Sequence, residues 1–365
     1  MPISLNPATK SLILKYNNFQ TIDASISFYP SLQNLDLSCN ELKILPGKIF
    51  ITQRNLESLN LSDNKIQELT DDAFSGLKRL KRLAIKTNKL RYIKNKTFKS
   101  LRRLEILDLS ENLISEIHHK LFKNLNSLKV LKLHKNHLRI VPSEAFSSAS
   151  NLIELDLSDN NIIVIESHAF KYLHSLALLN LAKNNLSTMD VDGLPGLERL
   201  EALYLEDNNF SEIPTVALSK VTSLRKIFLG GNPLKQIHKN ALVGNTNLNV
   251  LNISHCSQLS GINAGAFKPN NLLKTVVISD NADLEYIDSE AFNTEVKVEN
   301  VDFRANHLSS LSDDLLNWNS VNILQLSKNP WHCDCDLKWL KESILNMVNS
   351  SCTRKVVQIA ILDEQ

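Results

Sequence analysis

Three of the five cysteines lie near the carboxyl end, where they could bind a metal or form disulfides. The run His332-Cys333-Asp334-Cys335 places imidazole, thiolate and carboxylate groups side by side, and Cys352 follows. A zinc site of this kind needs a second ligand pair at a characteristic spacing, and the sequence offers none. We therefore expect no metal site, and disulfide formation is the favoured alternative.

The acid–base residues do not form a catalytic constellation. The ten histidines are scattered, without a carboxylate and a serine arranged beside them. Asp108 and Asp156 belong to an open surface, which does not desolvate a carboxylate enough for acid–base work. The chain has no phosphate loop, no Gly-x-Gly-x-x-Gly and no His-Glu-x-x-His motif. We expect a protein that is not an enzyme and that has no cofactor.

Basic side chains are concentrated in residues 76–103, which contain twelve lysines and arginines and no acidic residue. The net charge of the whole chain is only +2, so the other residues compensate with −10. This basic band indicates either contact with an acidic partner or a sulfated glycan, or an ordinary solvated face. The band includes Lys78, Arg79, Lys81, Arg82, Lys86, Arg102 and Arg103. The small net charge gives no overall attraction to nucleic acid or membrane, so we expect no nucleic-acid partner.

Acceptor motifs for N-linked glycans are frequent, which is consistent with secretion. The asparagines of the Asn-x-Ser/Thr motifs are Asn60, Asn95, Asn185, Asn209, Asn252 and Asn349. Each motif is weak evidence by itself, because the sequence Leu-Asn-Leu-Ser arises from an internal repeat. No apolar segment typical of a signal peptide follows Met1, and no apolar run is long enough to span a bilayer. We expect that the full-length protein is longer and reaches the membrane only through a segment that this chain lacks.

An internal repeat of 23–25 residues positions all of these side chains. One unit reads Leu56-x-x-Leu59-x-Leu61-x-x-Asn64-x-Ile66, and the same frame recurs along the chain. The markers are Asn17, Asn40, Asn64, Asn88, Asn112, Asn136, Asn160, Asn184, Asn208, Asn232, Cys256, Asn281, Asn306 and Asn329. About fourteen units of this kind predict a solenoid, because one unit alone cannot bury its own apolar faces.

The pattern within a unit predicts the fold. The segment around the paired leucines alternates apolar and polar residues, which is typical of a short strand with leucines facing inward. A second buried column, of Phe50, Phe74, Phe98, Phe122, Phe146 and Phe170 and then mostly leucines, thickens the opposite side. We therefore predict an α/β repeat solenoid, a curved horseshoe with a parallel sheet on its concave face. Irregular, 3-10 or short helical segments should form the convex side.

The outward positions of the predicted sheet form the candidate binding surface. Tyr204 and Phe228 occupy neighbouring strands of this face, and exposed aromatic pairs often anchor interfaces. The alternative is an aromatic ladder that packs only on itself. The predicted partner-binding residues of the concave face are Tyr204, Phe228, Asp156, Asn180 and Lys132.

The carboxyl-terminal residues break the repeat, so we divide the chain into a solenoid at 1–329 and a cap at 330–365. The repeats resemble the extracellular class of leucine-rich repeats, and Asn329 to Leu340 resembles its cysteine-rich C-terminal flanking domain. That resemblance implies a Cys333–Cys352 disulfide and leaves Cys335 without a partner, since the family's fourth cysteine is absent. The cap is therefore expected to be truncated.

Several segments resemble insect cell-surface proteins of the tartan and capricious type, among them Leu14-Lys15-Tyr16-Asn17-Asn18 and Gly244-Asn245-Thr246-Asn247-Leu248. This resemblance implies a single-pass protein of cell adhesion and recognition, outside the cell or at its surface. The partner would be a protein ligand or a cell-surface receptor held on the concave face. Two alternatives share the repeat, namely a Toll-like or Slit-like receptor ectodomain and a secreted matrix-binding protein.

Overall fold

Each repeat contributes one strand of three residues in the computed structural model, which describes residues 6–332 and Trp339. The central residue of each strand is buried, and at least one flanking residue faces solvent. This is the pattern expected where alternate side chains point to opposite faces of a strand. The described residues divide into two units, 6–185 with Asp192–Arg199, and Leu186–Val191 with 200–332 and Trp339.

The first unit contains a parallel sheet of eight strands in chain order. These strands are Ser11–Ile13, Asn34–Asp36, Ser58–Asn60, Arg82–Ala84, Ile106–Asp108, Val130–Lys132, Glu154–Asp156 and Leu178–Asn180. Three two-residue strands, Ile44–Leu45, Glu68–Leu69 and Val164–Ile165, follow the turns. The 3-10 helices Ala24–Phe28 and Ser143–Ser148 belong to the segments between successive strands.

The second unit repeats this arrangement with six parallel strands. They are Ala202–Tyr204, Lys226–Phe228, Val250–Asn252, Thr275–Val277, Asn300–Asp302 and Ile323–Gln325. The shorter strands are Thr188–Met189, Gln236–Ile237, Gly261–Ile262 and Tyr286–Ile287, and the helical segments are Thr215–Leu218 and the 3-10 turn Trp318–Ser320. The parallel strands, stacked coils and few helices confirm the predicted repeat solenoid.

The marker asparagines hold the turn that follows each strand. Asn136 is 3% exposed. Its Nδ2 donates to the carbonyls of Leu133 and His134 in its own repeat, and to that of Leu109 in the preceding one. Its Oδ1 accepts from the amide of Ile114, so one side chain links two repeats. The residue before each marker adopts a left-handed conformation, as at Lys135 with φ 52°. That conformation is costly for a residue with a side chain, and the asparagine bonds offset the cost.

The predicted aromatic column fills the core opposite the sheet. All six of its phenylalanines in the first unit are at most 1% exposed. Neighbouring rings stack, with centroids 5.8 Å apart for Phe74 and Phe98 and 6.3 Å apart for Phe122 and Phe146. Because these rings pack on a ring of the next repeat, burial of one unit depends on its neighbour.

Gly76 allows the backbones of adjacent repeats to approach closely. Gly76 has φ +101°, and a β-carbon there would lie 2.3 Å from the carbonyl oxygen of Phe50. We expect Gly76→Ala to lower the free energy of unfolding by about 2 kcal/mol or more, because the backbone must move apart. Gly47→Ala is the matched control, since its β-carbon would meet nothing nearer than 3.7 Å. Urea unfolding of both variants tests this, and equal midpoints would contradict it.

The described tryptophans of the predicted cap, Trp331 and Trp339, lie against the last repeats. The indole nitrogen of Trp331 donates to the carbonyl of Leu326 at 2.8 Å, and that of Trp339 donates to Leu311 at 2.9 Å. Trp339 also packs on Trp318, with ring centroids 5.0 Å apart. Cys333, Cys335 and Cys352 lie outside the described residues, so the predicted disulfide remains a prediction.

Candidate functional site

The sheet face of the second unit carries the aromatic pair that the repeat register predicts. The strands Ala202–Tyr204 and Lys226–Phe228 pair in parallel, which aligns Tyr204 with Phe228. The two rings stack with centroids 4.6 Å apart and an angle of 2° between their planes. Both side chains remain half-exposed. The pair therefore forms a rigid apolar platform that is still accessible to solvent.

A carboxylate lies beside this platform. Glu206 follows Tyr204 by two residues, and its side chain is half-buried. Its Oε2 is enclosed and has no hydrogen-bond partner. Burial raises the pKa of the Glu206 carboxyl, and the nearby charge of Asp207 raises it further. Glu206 is not among the predicted site residues, although it is the one acidic residue at its position in the repeat, where seven of the fourteen units have serine.

The other predicted partner-binding residues are neighbours on the sheet face of the first unit. Lys132 aligns with Asp156, and Asp156 aligns with Asn180. The Oδ1 of Asp156 accepts from the amide and the hydroxyl of Ser158, and that of Asn180 accepts from the amide of Ala182. Part of the polar surface of Asp156 and Asn180 is thus used to hold their own turns.

Asp156 also contacts a histidine of the preceding repeat. The Nδ1 atom of His134 lies 3.0 Å from the carboxylate. Burial alone would raise the pKa of the Asp156 carboxyl, but the imidazole of His134 and the two Ser158 groups outweigh burial. The net result is a pKa below the usual range. The ionised carboxylate is therefore the form that the folded state favours.

The lowered pKa of Asp156 predicts a pH-dependent contribution to stability. A carboxyl whose pKa is lower in the folded state stabilises it above the unfolded pKa of about 3.9, and this stabilisation is lost as pH falls. We expect Asp156→Asn to cost roughly 1 kcal/mol at pH 7, and this deficit to shrink progressively as the pH falls below about 3.9. Urea midpoints across this range, with the exposed Asp159→Asn as control, measure the effect. A deficit that persisted unchanged at pH 3 would contradict it.

Carboxylates of adjacent repeats neutralise part of the basic band. Four of its lysines form ion pairs with residues about one repeat away: Lys81 with Glu57, Lys86 with Glu111, Lys94 with Glu68 and Lys99 with Asp72. Arg82 is exposed at the start of its strand. Lys78, Arg79, Arg102 and Arg103 are also exposed, and no ion pair to them occurs among the described residues.

The glycan acceptors differ in their surroundings. Asn185 and Asn209 are exposed, and each has an exposed serine two residues later. Asn95 is half-buried, and the threonine of its motif, Thr97, is 1% exposed. Asn60 and Asn252 lie on the sheet faces as predicted, and each side chain bonds its own turn. Asn349 lies outside the described residues.

The described cysteines are not a reactive pair. Cys39 and Cys256 are both free. Cys256 stands at a marker position, where its Sγ contacts the carbonyls of Leu229 and Ser254. Burial raises the pKa of its thiol to about 11, which keeps the group protonated. Within the described residues, no cluster of histidine, cysteine or acidic side chains could hold a metal ion, and no helix could cross a membrane.

Known proteins share both the repeat and the fold. The family described as leucine rich repeat matches residues 54–114, 102–162, 150–210, 198–257 and 222–282, which together span more than half of the chain. Tsukushi of Gallus gallus is 36% identical over 78 residues, which cover 20% of this chain and 21% of Tsukushi. The match thus spans about a fifth of the length of that relative.

Solved structures match over most of the chain. An LRR protein of Leptospira interrogans superposes with a TM-score of 0.78 at 24% identity, over 91% of this chain and 81% of that chain. The structure of a TLR13–ssRNA13 complex superposes with a TM-score of 0.76 at 26% identity, over 93% of this chain and 52% of that chain.

Proposed function

Because this chain belongs to the leucine-rich repeat family, we propose that it is a recognition scaffold whose open sheet face binds a partner protein. The observation that carries this proposal is the stacked, half-exposed pair of Tyr204 and Phe228. Aromatic anchors of this kind supply much of the binding energy at protein interfaces. The stack also fixes both rings before binding, which reduces the entropy that an interface must offset.

The scaffold supports this role because its structural and surface positions are separate. The marker asparagines and buried leucines hold the backbone in most repeats, as Asn136 and Leu131 do in one of them. The flanking strand residues can therefore change without loss of the core. This arrangement favours a surface whose specificity is set by a few side chains on a constant frame.

A protein partner fits the charge distribution better than a nucleic acid. In the TLR13–ssRNA13 complex the ligand is RNA. The present chain has a net charge of only +2, and four lysines of its basic band are paired with carboxylates. Nucleic-acid affinity depends on many free cations that displace counterions from phosphates. The aromatic platform instead suits an apolar side chain of a protein.

We further propose that recognition takes place outside the cell, as an adhesion protein would perform it. The resemblance to tartan and capricious and the exposed acceptors Asn185 and Asn209 support this. The alternatives are a Toll-like or Slit-like receptor ectodomain and a secreted matrix-binding protein. Staining of intact cells that express the natural full-length protein tests the location, and signal only after permeabilisation would refute it.

A screen against isolated ectodomains and secreted proteins of the same organism tests the proposed function. The bait is the multimerised chain, either wild type or with Tyr204→Ala and Phe228→Ala. A matched control carries Val216→Ala and Val243→Ala, which change exposed apolar residues outside the sheet. The expected result is at least one partner that the wild type and the control bind and the aromatic variant does not. If every partner bound equally to the wild type, the aromatic variant and the valine variant, the sheet face would not be the binding surface.

The basic band offers a second contact, with a sulfated glycan. Lys78 and Arg79 occupy the same positions in their repeat as Arg102 and Arg103 in the next, so two successive repeats present four exposed cations. We expect a heparin column to retain the wild type at about 0.15 M salt, where such contacts are only partly screened. Replacing all four cations by serine should abolish this retention. Equal retention of the variant would place the contact elsewhere.

A further inference from the structure

One oxygen of the Glu206 carboxylate is enclosed, and the described residues supply no counter-ion to it. Its Oε2 atom has no hydrogen-bond partner, and none of the ion pairs among the described residues involves it. The basic residues of the neighbouring strand, Arg225 and Lys226, lie at its start, whereas Glu206 lies just past the end of the adjacent strand. A half-buried charge without a partner is unfavourable, and a cation supplied from outside would relieve this cost.

The residue of the next repeat opposite Glu206 supplies no counter-charge. In the aligned register, Gly230 is the residue of the next repeat that lies opposite Glu206, and it has no side chain to occupy this position. Gly230 cannot readily acquire one, because a β-carbon there would lie 2.7 Å from the carbonyl oxygen of Ser254. Tyr204 and Phe228 stand immediately before Glu206 and Gly230 on the same face.

We propose that Tyr204, Phe228 and Glu206 together form a subsite for one lysine or arginine side chain of the partner protein. The long apolar stem of such a side chain packs on the two rings, and its charged head donates to the carboxylate. This inference rests on the proposed function, since it names the chemistry of the residue that the aromatic platform receives. An acidic side chain would be repelled by the Glu206 carboxylate, and an apolar one would leave it unpaired.

The raised pKa of the Glu206 carboxyl agrees with this assignment. Burial disfavours the ionised form in the free protein, and a cation in contact would favour it again. A single carboxylate does not suffice for a metal ion, which needs several ligands. The arrangement of one acid beside two stacked rings therefore matches a basic side chain in both charge and shape.

Peptide selection tests the inference with a defined probe. A library of random displayed peptides is selected on the wild-type chain and counter-selected on the Tyr204→Ala, Phe228→Ala variant. We expect the surviving peptides to share a lysine or arginine. For a selected arginine peptide, replacement of that arginine by the neutral isostere citrulline should weaken binding about tenfold or more.

Variants of the protein distinguish failure of the cation subsite from failure of the proposed function. Glu206→Gln should weaken the arginine peptide about tenfold or more and leave the citrulline peptide unaffected. Glu201→Gln, which changes an exposed glutamate just before the strand Ala202–Tyr204, should alter neither. Peptides that need the two rings but bind Glu206→Gln as well as wild type would overturn the cation subsite alone. Failure to obtain any peptide that needs the rings would overturn the proposed function as well.

Discussion

Asn136→Ala should be among the most destabilising single substitutions in the chain. It removes the side chain that donates to three carbonyls and accepts from the amide of Ile114, all within the interior. Each buried group left without a partner costs roughly 1–3 kcal/mol, so we expect a loss of about 3 kcal/mol or more. The adjacent Lys135 would also lose support for its left-handed conformation. Urea unfolding followed by circular dichroism measures the change.

Asn151→Ala is the matched control for this substitution. Asn151 is exposed and makes a hydrogen bond to the carbonyl of Asn126, where water can replace it. We expect a loss of no more than about 0.5 kcal/mol for this variant. If both variants unfolded at the same urea concentration, the marker asparagines would not be the structural links between repeats.

The second large effect is expected on binding. Replacing Tyr204 and Phe228 together by alanine should weaken a partner found in the screen by about 100-fold or more, as loss of two central aromatic anchors does. The folded state should change little, because both side chains are half-exposed and their stack contributes roughly 1 kcal/mol. Biosensor titration gives the dissociation constant, and thermal unfolding reports the integrity of the variant.

The Val216→Ala, Val243→Ala variant is again the control for this measurement. Val216 lies on the short helix Thr215–Leu218, and both valines are exposed, at 58% and 42%. We expect this variant to bind with the wild-type dissociation constant. A partner that lost affinity for the valine variant and not for the aromatic variant would bind the opposite side of the repeat.

The periodic sequence predicted the regular part of the fold. A constant spacing of marker, leucine and phenylalanine fixes which side chains meet between repeats, so the strand register and the Phe74–Phe98 stack followed directly. The left-handed residue of each turn could not be predicted, because types as different as Lys135, Asp159 and Ala305 occupy it. The bonds of the following asparagine determine that conformation, whatever residue precedes it.

Polar residues in the core were also missed. Asn245 and Asn270 replace the leucine found at the same position in other repeats, and both are buried. Their Nδ2 groups donate to backbone carbonyls of preceding repeats, for example from Asn245 to Leu218 and Val221. The repeat pattern shows only that these positions carry asparagine where several other repeats carry leucine. The direction of an amide and the carbonyls within its reach depend on the local path of the backbone.

The candidate site was predicted in part. The alignment of Tyr204 with Phe228 follows from the 24-residue spacing, and the structure shows the two rings in contact. Glu206 carried a signal in the sequence, as the only acid at a position where serine is the most frequent residue, but its enclosure could not be predicted from the spacing. The basic band was counted within residues 76–103, whereas its carboxylate partners Glu57, Glu68 and Glu111 lie outside that window.

Site-specific photo-crosslinking to a partner from the screen tests most directly whether the sheet face is the binding surface. A photoreactive phenylalanine analogue replaces one of two residues. The first is Lys226, which is exposed on the same strand as Phe228, and the second is Val216, on the helix outside the sheet. We expect a covalent adduct from position 226 and none from position 216, because the partner should bind the sheet face. An adduct from position 216 alone would contradict it and would place the partner on the other side of the repeat.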